Sequence, residues 1–184
     1  RSVGQMTDTP VIPGERVRLR PTRLSDAEAL HDIFSDVEAM TWWTHAPYER
    51  LEETEAKVAQ NMAETGWQAW TITLADDDTA IGTLGAHEER QGRVAEIGYS
   101  LVRHHWGKGL AREAVGLAIT YLFEVEGYRR IFADTDPDNA PSNKLLTQLG
   151  FTLEGRLRGH WETHIGVRDS LIWGLLREEW SATA

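Results

Sequence analysis

The chain has no cysteine among its 184 residues, which excludes disulfides, thiolate metal sites and a cysteine nucleophile and is compatible with a reducing compartment. Basic residues are in deficit: 19 Lys and Arg face 29 Asp and Glu, a formal charge of −10. A general nucleic-acid binder needs a basic face that this balance does not supply, so no nucleic-acid partner is expected; an acidic surface suits cationic partners. No apolar run approaches the roughly 20 residues that span a bilayer, and Arg1 to Pro13 lacks the apolar centre of a signal peptide. A soluble cytoplasmic protein with no membrane partner is expected. Low-complexity stretches, linkers and internal repeats are missing as well. Arg1 to Gln5, ahead of Met6, reads as a remnant foreign to the fold. Residues 1–13 read as a flexible tail, 14–180 as one domain, and 181–184 as a second tail. Tryptophan, in contrast, is abundant, with eight residues.

From Gly14 onward the pattern changes every ten to fifteen residues. Glu15 to Arg20 alternates as an edge strand does, and Ser25 with Glu28 has the spacing of a capping box opening a helix. Leu51 to Met62 is a second helical stretch. Trp67 to Ala75 and Ala80 to Glu89 are strand-like runs around a turn of three aspartates, and Val94 to Val102 is a third strand. Leu110 to Glu126 carries apolar residues at a 3.6 period, with Gly127 ending the helix. A strand at Arg130 to Thr135 precedes a helix at Ala140 to Leu149, capped by Asp138 or Asn139 and ended by Gly150. Phe151 to Glu162 and Val167 to Leu175 close the chain as strands. The expected class is α/β, in the α+β sense: a mixed, mostly antiparallel sheet of about seven strands with about four helices. Its parallel pair should flank the Leu110 helix.

The informative stretch runs from Glu96 through Trp106-Gly107-Lys108-Gly109-Leu110-Ala111-Arg112. A strand enters a glycine-rich turn that opens a long helix, and that geometry gathers free backbone N–H groups and a positive dipole end at one place. An anion belongs there. Spacing rejects two phosphate-binding readings: a P-loop needs G-x-x-x-x-G-K-[ST], yet Lys108 is followed by Gly109, and a dinucleotide fingerprint needs Gly or Ala where Arg112 stands.

What fits is a coenzyme A loop, [QR]-x-x-G-x-[GA], over Trp106 to Ala111, with Trp106 in place of Gln or Arg. A second segment, Asp136-Pro-Asp-Asn139-Ala-Pro-Ser142-Asn143 through Gly150-Phe151, matches D-P-x-N-x-x-S-x-x-x-L-x-x-x-G-F. Together with Glu96-Ile-Gly-Tyr99, these motifs resemble the GNAT superfamily of N-acetyltransferases, most closely its RimJ/RimL-like branch, over nearly everything from Gly14 to Trp180. The resemblance implies a GNAT fold whose central parallel strands splay apart around acetyl-CoA or another short-chain acyl-CoA. It also implies direct transfer of the acyl group to a primary amine, either a small molecule or a protein N-terminus. A non-catalytic acyl-CoA-binding module is the alternative, and a homodimer stays open.

The same resemblance assigns candidate roles. Glu96 is a candidate base, and Glu162, four residues before Gly166, is its rival. Ser142 stands where a general acid for the leaving thiolate is found; its other reading is a hydroxyl that satisfies the first turn of its helix. Asn139 matches a residue on the pantetheine arm and can also cap that helix, and Asn143 follows in the same motif. A main-chain N–H near Leu101 or Val102 is the expected oxyanion donor. An α-amine, titrating at about 7.7 to 8.0, asks less of the base than a side-chain ammonium near 10.4. His160, Glu162 and His164 would share one face of a strand and could relay a proton. Their order is not the H-E-x-x-H of a helical zinc site, so no metal is expected. Asp169 is either structural or substrate-facing. Trp42, Trp43, His45 and Tyr48, followed by Glu49 to Glu55, offer aromatic faces and carboxylates to a cationic amine.

Overall fold

The computed structural model describes residues 8–181. Twelve regular elements follow one another: β1 (Ile12–Pro13), β2 (Val17–Pro21), α1 (Ala27–Phe34), α2 (Leu51–Ala63), β3 (Trp67–Leu74), β4 (Asp77–Glu88), β5 (Val94–Leu101), α3 (Leu110–Glu124), β6 (Arg130–Thr135), α4 (Ala140–Gln148), β7 (Thr152–Thr163) and β8 (Gly166–Leu176). They build one sheet of eight strands in the order β1-β2-β3-β4-β5-β6-β8-β7. This is the GNAT fold. The extra strand over the expected seven is β1, which lies in the stretch read as a tail; Ile12 pairs with Leu19 and packs on the main core. Two residues are too few to show a period of two. The remnant assigned to Arg1–Gln5 lies outside the described residues.

All neighbouring strands run antiparallel except β5 and β6, which pair in parallel only from Val94–Arg130 to Glu96–Phe132. Beyond Glu96 the two strands part, and that gap defines the site. The helix between them, α3, buries Ala114, Val115, Ala118, Ile119 and Leu122 in the larger of two apolar clusters. The smaller cluster joins α1 and α2 through Leu30, Ile33, Phe34 and Val58. Consecutive β4 residues divide between them, Ala80 to the helix pair and Ile81 to the α3 cluster, so helices cover both faces of the sheet.

The entry to α1 differs from the expected capping box. A 3₁₀ turn at Leu24–Asp26 precedes the helix, and the Asp26 carboxylate accepts the Arg23 amide at 2.8 Å. Asp26 also takes a two-pronged ion pair from Arg20, at 2.7 and 2.9 Å, with both side chains buried. Burial works against its ionisation, but the hydrogen bonds from Arg20, Arg23 and Thr71 hold its carboxyl below the usual range. Breaking one partner would strand a buried charge. Among the described residues no helix is long and apolar enough to cross a membrane.

Candidate active site

Alternation along β5 sends Glu96, Gly98 and Ser100 to one face of the sheet and Ile97, Tyr99 and Leu101 to the other. Glu96, Ile97, Gly98 and Tyr99 nonetheless line one cavity of about 450 Å³, because the parting of β5 from β6 opens the sheet at this point. Glu96 sits at the last paired position. Its carboxyl is pushed up to about 7, first by burial and then by the like charges of Asp134 and Glu89, with His87 opposing. A carboxyl in that range accepts a proton at neutral pH and is matched to general-base work.

Across the gap, the Tyr99 hydroxyl lies 2.6 Å from Ser142 Oγ, near the start of α4. Burial pushes the Tyr99 phenol up to about 12, so it keeps its proton at neutral pH and can leave the Ser142 proton free for the cavity. Asn139 caps α4, its Oδ1 accepting the Ser142 amide at 3.4 Å, and it also lines the cavity. Both sequence readings of Asn139, helix cap and cavity residue, are compatible with this geometry. Asn143 is turned inward instead. It accepts from Thr135 Oγ1 at 2.5 Å and donates to the carbonyls of Asp136 and Pro137, which fixes the β6–α4 loop and leaves its side chain away from the cavity lining.

The glycine loop follows β5. Gly107 and Gly109 adopt φ of 75° and 76°, a left-handed conformation that favours glycine. Gly109 is the N-cap of α3, so the amides of Leu110, Ala111 and Arg112 have no intrahelical acceptor and face outward. Trp106, standing where Gln or Arg is usual, donates its indole N–H to the Leu101 carbonyl at 2.8 Å. Of the two oxyanion candidates, the ladder separates one. The Val102 N–H is committed to the Ile81 carbonyl at 2.8 Å, and antiparallel alternation then turns the Leu101 N–H toward the gap.

The remaining wall mixes aromatic and charged groups. Trp42, Trp43, Trp67 and Trp161 border the cavity together with Glu64, Asp134, Asp136 and Asp169, and with the cations Lys57 and Arg168. Asp136 is neutralised by Arg168, at 2.8 and 2.9 Å, and the Arg168 guanidinium lies 5.8 Å from the Trp42 ring. His45 and Tyr48 leave this wall: they stack on each other at 4.6 Å, and Tyr48 stacks on Phe34. Glu53 caps the amides of Glu49 and Arg50, so the Glu49 to Glu55 run is a helix start and not part of this wall.

The expected face shared by His160, Glu162 and His164 does not form. Pairing of β7 with β8 is irregular between Leu157 and Trp161, where Gly159 takes φ of 58°, and β7 ends at Thr163. His160 turns to Ser170 Oγ at 2.9 Å and lies 3.5 Å from Asp134. His164, in the turn, meets the Met40 carbonyl at 3.0 Å. Glu162 is exposed, and its neighbours Trp161 and Thr163 line the cavity in its place. Asp169 does reach the cavity while holding Arg156 and the Gly159 amide.

Sequence reasoning missed Tyr99 and Asp134. Tyr99 stands three residues from Glu96, which on a regular strand means opposite faces, and only the splay brings both to one cavity. Asp134 accepts the Trp161 indole N–H at 2.9 Å, a contact between distant elements with no local signal.

The chain matches the acetyltransferase (GNAT) domain model over residues 16–152. It is 36% identical over 172 residues to p20, an uncharacterized N-acetyltransferase of Bacillus licheniformis, covering 91% of this chain and 96% of that protein. The crystal structure of a GNAT-family acetyltransferase from Bacillus anthracis superposes with a TM-score of 0.84 at 25% identity, over 92% of this chain and all of that one. Mycobacterium smegmatis RimJ, solved in complex with CoA-disulfide, gives a TM-score of 0.79 at 26% identity, over 94% and 89% of the two chains. The chain is an N-acetyltransferase and belongs to the GNAT acetyltransferase family.

Proposed function

We propose that the protein transfers a short acyl group, acetyl in the first instance, from acyl-CoA to a cationic primary amine by direct attack within a ternary complex. The chain from β1 to Trp180 acts as one catalytic domain of the RimJ/RimL-like kind, starting two residues earlier than the sequence alone suggests; the likeness to RimJ supports this reading. The observation that carries the proposal is the meeting of Glu96 with the Tyr99–Ser142 pair at one opening in the sheet.

The chain's donor set fits acyl-CoA. The outward amides of Gly107 to Arg112 suit a diphosphate, with Lys108 and Arg112 nearby, and Asn139 suits the pantetheine arm. When bound, acyl-CoA supplies an activated thioester carbonyl. Glu96 takes a proton from the incoming ammonium, directly or through one water. The amine nitrogen then bonds to the carbonyl carbon while the Leu101 N–H donates to its oxygen. As the carbon–sulfur bond breaks, the Ser142 hydroxyl would give its proton to the thiolate; the nitrogen loses its second proton to become the amide, and that proton would reload Ser142 through water and Tyr99, while the first leaves Glu96 to solvent. The products are an amide and free CoA thiol. An acceptor amine that titrates near 8 lies within about one pK of Glu96, which suits a protein N-terminal α-amine or a small amine of similar basicity. The Trp and carboxylate wall favours a cation.

The test is thiol release with acetyl-CoA and a panel of primary amines, together with CoA binding on the same preparation. Thiol release matched by acylated amine is expected. Binding with no release for any amine overturns the proposal in favour of the non-catalytic module.

A further inference from the structure

The glycine loop is braced from behind by the other end of the chain. Arg16, just before β2, donates from Nη1 to the Lys108 carbonyl at 2.8 Å and from Nη2 to the Gly109 carbonyl at 3.2 Å. Its Nε reaches Glu113 Oε1 at 3.2 Å. The other oxygen of Glu113 accepts the backbone amides of Arg16 and Val17 at 2.9 and 2.8 Å. Glycine makes the close approach possible on both sides. A Cβ at Gly14 would lie 2.7 Å from Leu117 Cδ1 and 3.0 Å from Glu113 Oε2, and one at Gly109 would lie 3.2 Å from Arg16 Nη2.

The charges here are informative. Glu113 belongs to the first turn of α3, where a carboxylate complements the helix dipole but repels an anion arriving at the same amides. Burial opposes its ionisation, yet the two backbone amides and the guanidinium hold its carboxyl below the usual range, so the repelling charge is present at neutral pH. Arg16 answers it. A guanidinium fork also engages two neighbouring carbonyls at once, which an ammonium does less well.

We propose that Arg16 is a positioning residue for the diphosphate of acyl-CoA: it holds the Lys108 and Gly109 carbonyls on the rear of the loop, so that the amides face forward, and offsets the Glu113 charge. The inference rests on reading Gly107 to Arg112 as the diphosphate site.

The experiment compares acetyl-CoA with acetyl-pantetheine, which has the thioester and no diphosphate, for the wild-type protein, Arg16→Ala, Arg16→Lys and Arg16→Ala/Glu113→Gln. Arg16→Ala is expected to raise KM for acetyl-CoA at least about tenfold, the range of a lost charged hydrogen-bonding group. The value of kcat at saturation and KM for acetyl-pantetheine should move by less than about twofold. The Glu113→Gln change in that background removes the charge while keeping an acceptor for the backbone amides, and should recover part of the loss. If Arg16→Ala folds poorly, Arg16→Lys gives the same split at smaller size. An unchanged KM for acetyl-CoA in both variants, or an equal rise for both donors as a general structural role requires, overturns the assignment of Arg16. A wild-type protein that uses the two donors equally well overturns the diphosphate site itself, and the role of Arg16 with it.

Discussion

The two ends of β5 solve opposite problems. At Val94–Glu96 the strand is hydrogen-bonded on both sides, and the Glu96 carboxyl is half-buried there beside the like charges of Asp134 and Glu89. At Leu101 the β6 side is open, and beyond a 3₁₀ turn at Arg103–His105 the chain reaches the glycine loop and the amides at the start of α3. In the proposed reaction the closed end supplies a proton acceptor poised near neutrality, and the open end an anion cradle of main-chain amides. Neither is described by the net charge of −10. On that proposal a few residues of one strand set conditions for an amine and for a phosphate, through strand pairing more than through side-chain charge.

The comparison breaks most readily at the closed end. Glu96→Gln should lower kcat by about 10²- to 10⁴-fold near neutral pH, with the KM for acetyl-CoA held within about twofold. Wild-type kcat should rise with pH through about 7 as Glu96 loses its proton, and the variant should lack that limb. Initial rates of thiol release across pH measure both effects. Unchanged turnover would move the base elsewhere and leave the desolvated end without a chemical purpose.

At the junction of the two ends, Ser142→Ala should slow turnover about tenfold to a hundredfold while leaving CoA binding nearly intact, because the role proposed for the hydroxyl is on the departing thiolate. Calorimetric titration with CoA and single-turnover rates separate these quantities. Lost binding with normal turnover of the bound fraction would make Ser142 part of the cradle.

Much of this arrangement is legible in the sequence, and the limits are physical. The helix of Leu110, the parallel pair around it and the glycine loop all announce themselves through period, capping and φ-tolerant residues, which are local signals. Val102 and Leu101 look equivalent until the pairing with β4 assigns one amide to Ile81. Glu162 and His164 looked like neighbours of His160 because a period of two assumes an unbroken strand, and the irregularity at Gly159 and the turn after Thr163 end that period. His45 and Tyr48 stand in an aromatic stretch followed by carboxylates, a pattern that does not say whether rings stack on each other or on a ligand. Arg16 lies 97 residues from Glu113, and no spacing rule reaches that far.

A subtler change sharpens the closed end without removing its acid. Asp134→Asn keeps an acceptor for the Trp161 indole and removes a charge that raises Glu96, so the rising limb of the pH profile should move down by about one pH unit. A limb that stays in place would leave burial and the Glu89 charge as the causes of the Glu96 displacement.

The smallest expected effect is on stability, and it carries the opposite sign to the effect on rate. Glu96 titrates near 4.5 as an ordinary carboxyl and near 7 in the folded protein. Between those values the folded state binds more protons than the unfolded one, so stability falls as pH rises through the window, and the full penalty is present above about 7. Converted in full, that displacement is about 3 kcal/mol, and partial exposure of the side chain reduces it to about 1 kcal/mol. Glu96→Gln should therefore melt above the wild-type protein at alkaline pH, with the difference vanishing below the ordinary carboxylate range, where glutamate is itself neutral. Thermal denaturation at the two pH extremes measures this. A variant that gains nothing at alkaline pH would mean that Glu96 is well solvated, and the contrast between the two ends of β5 would then rest on hydrogen bonding alone.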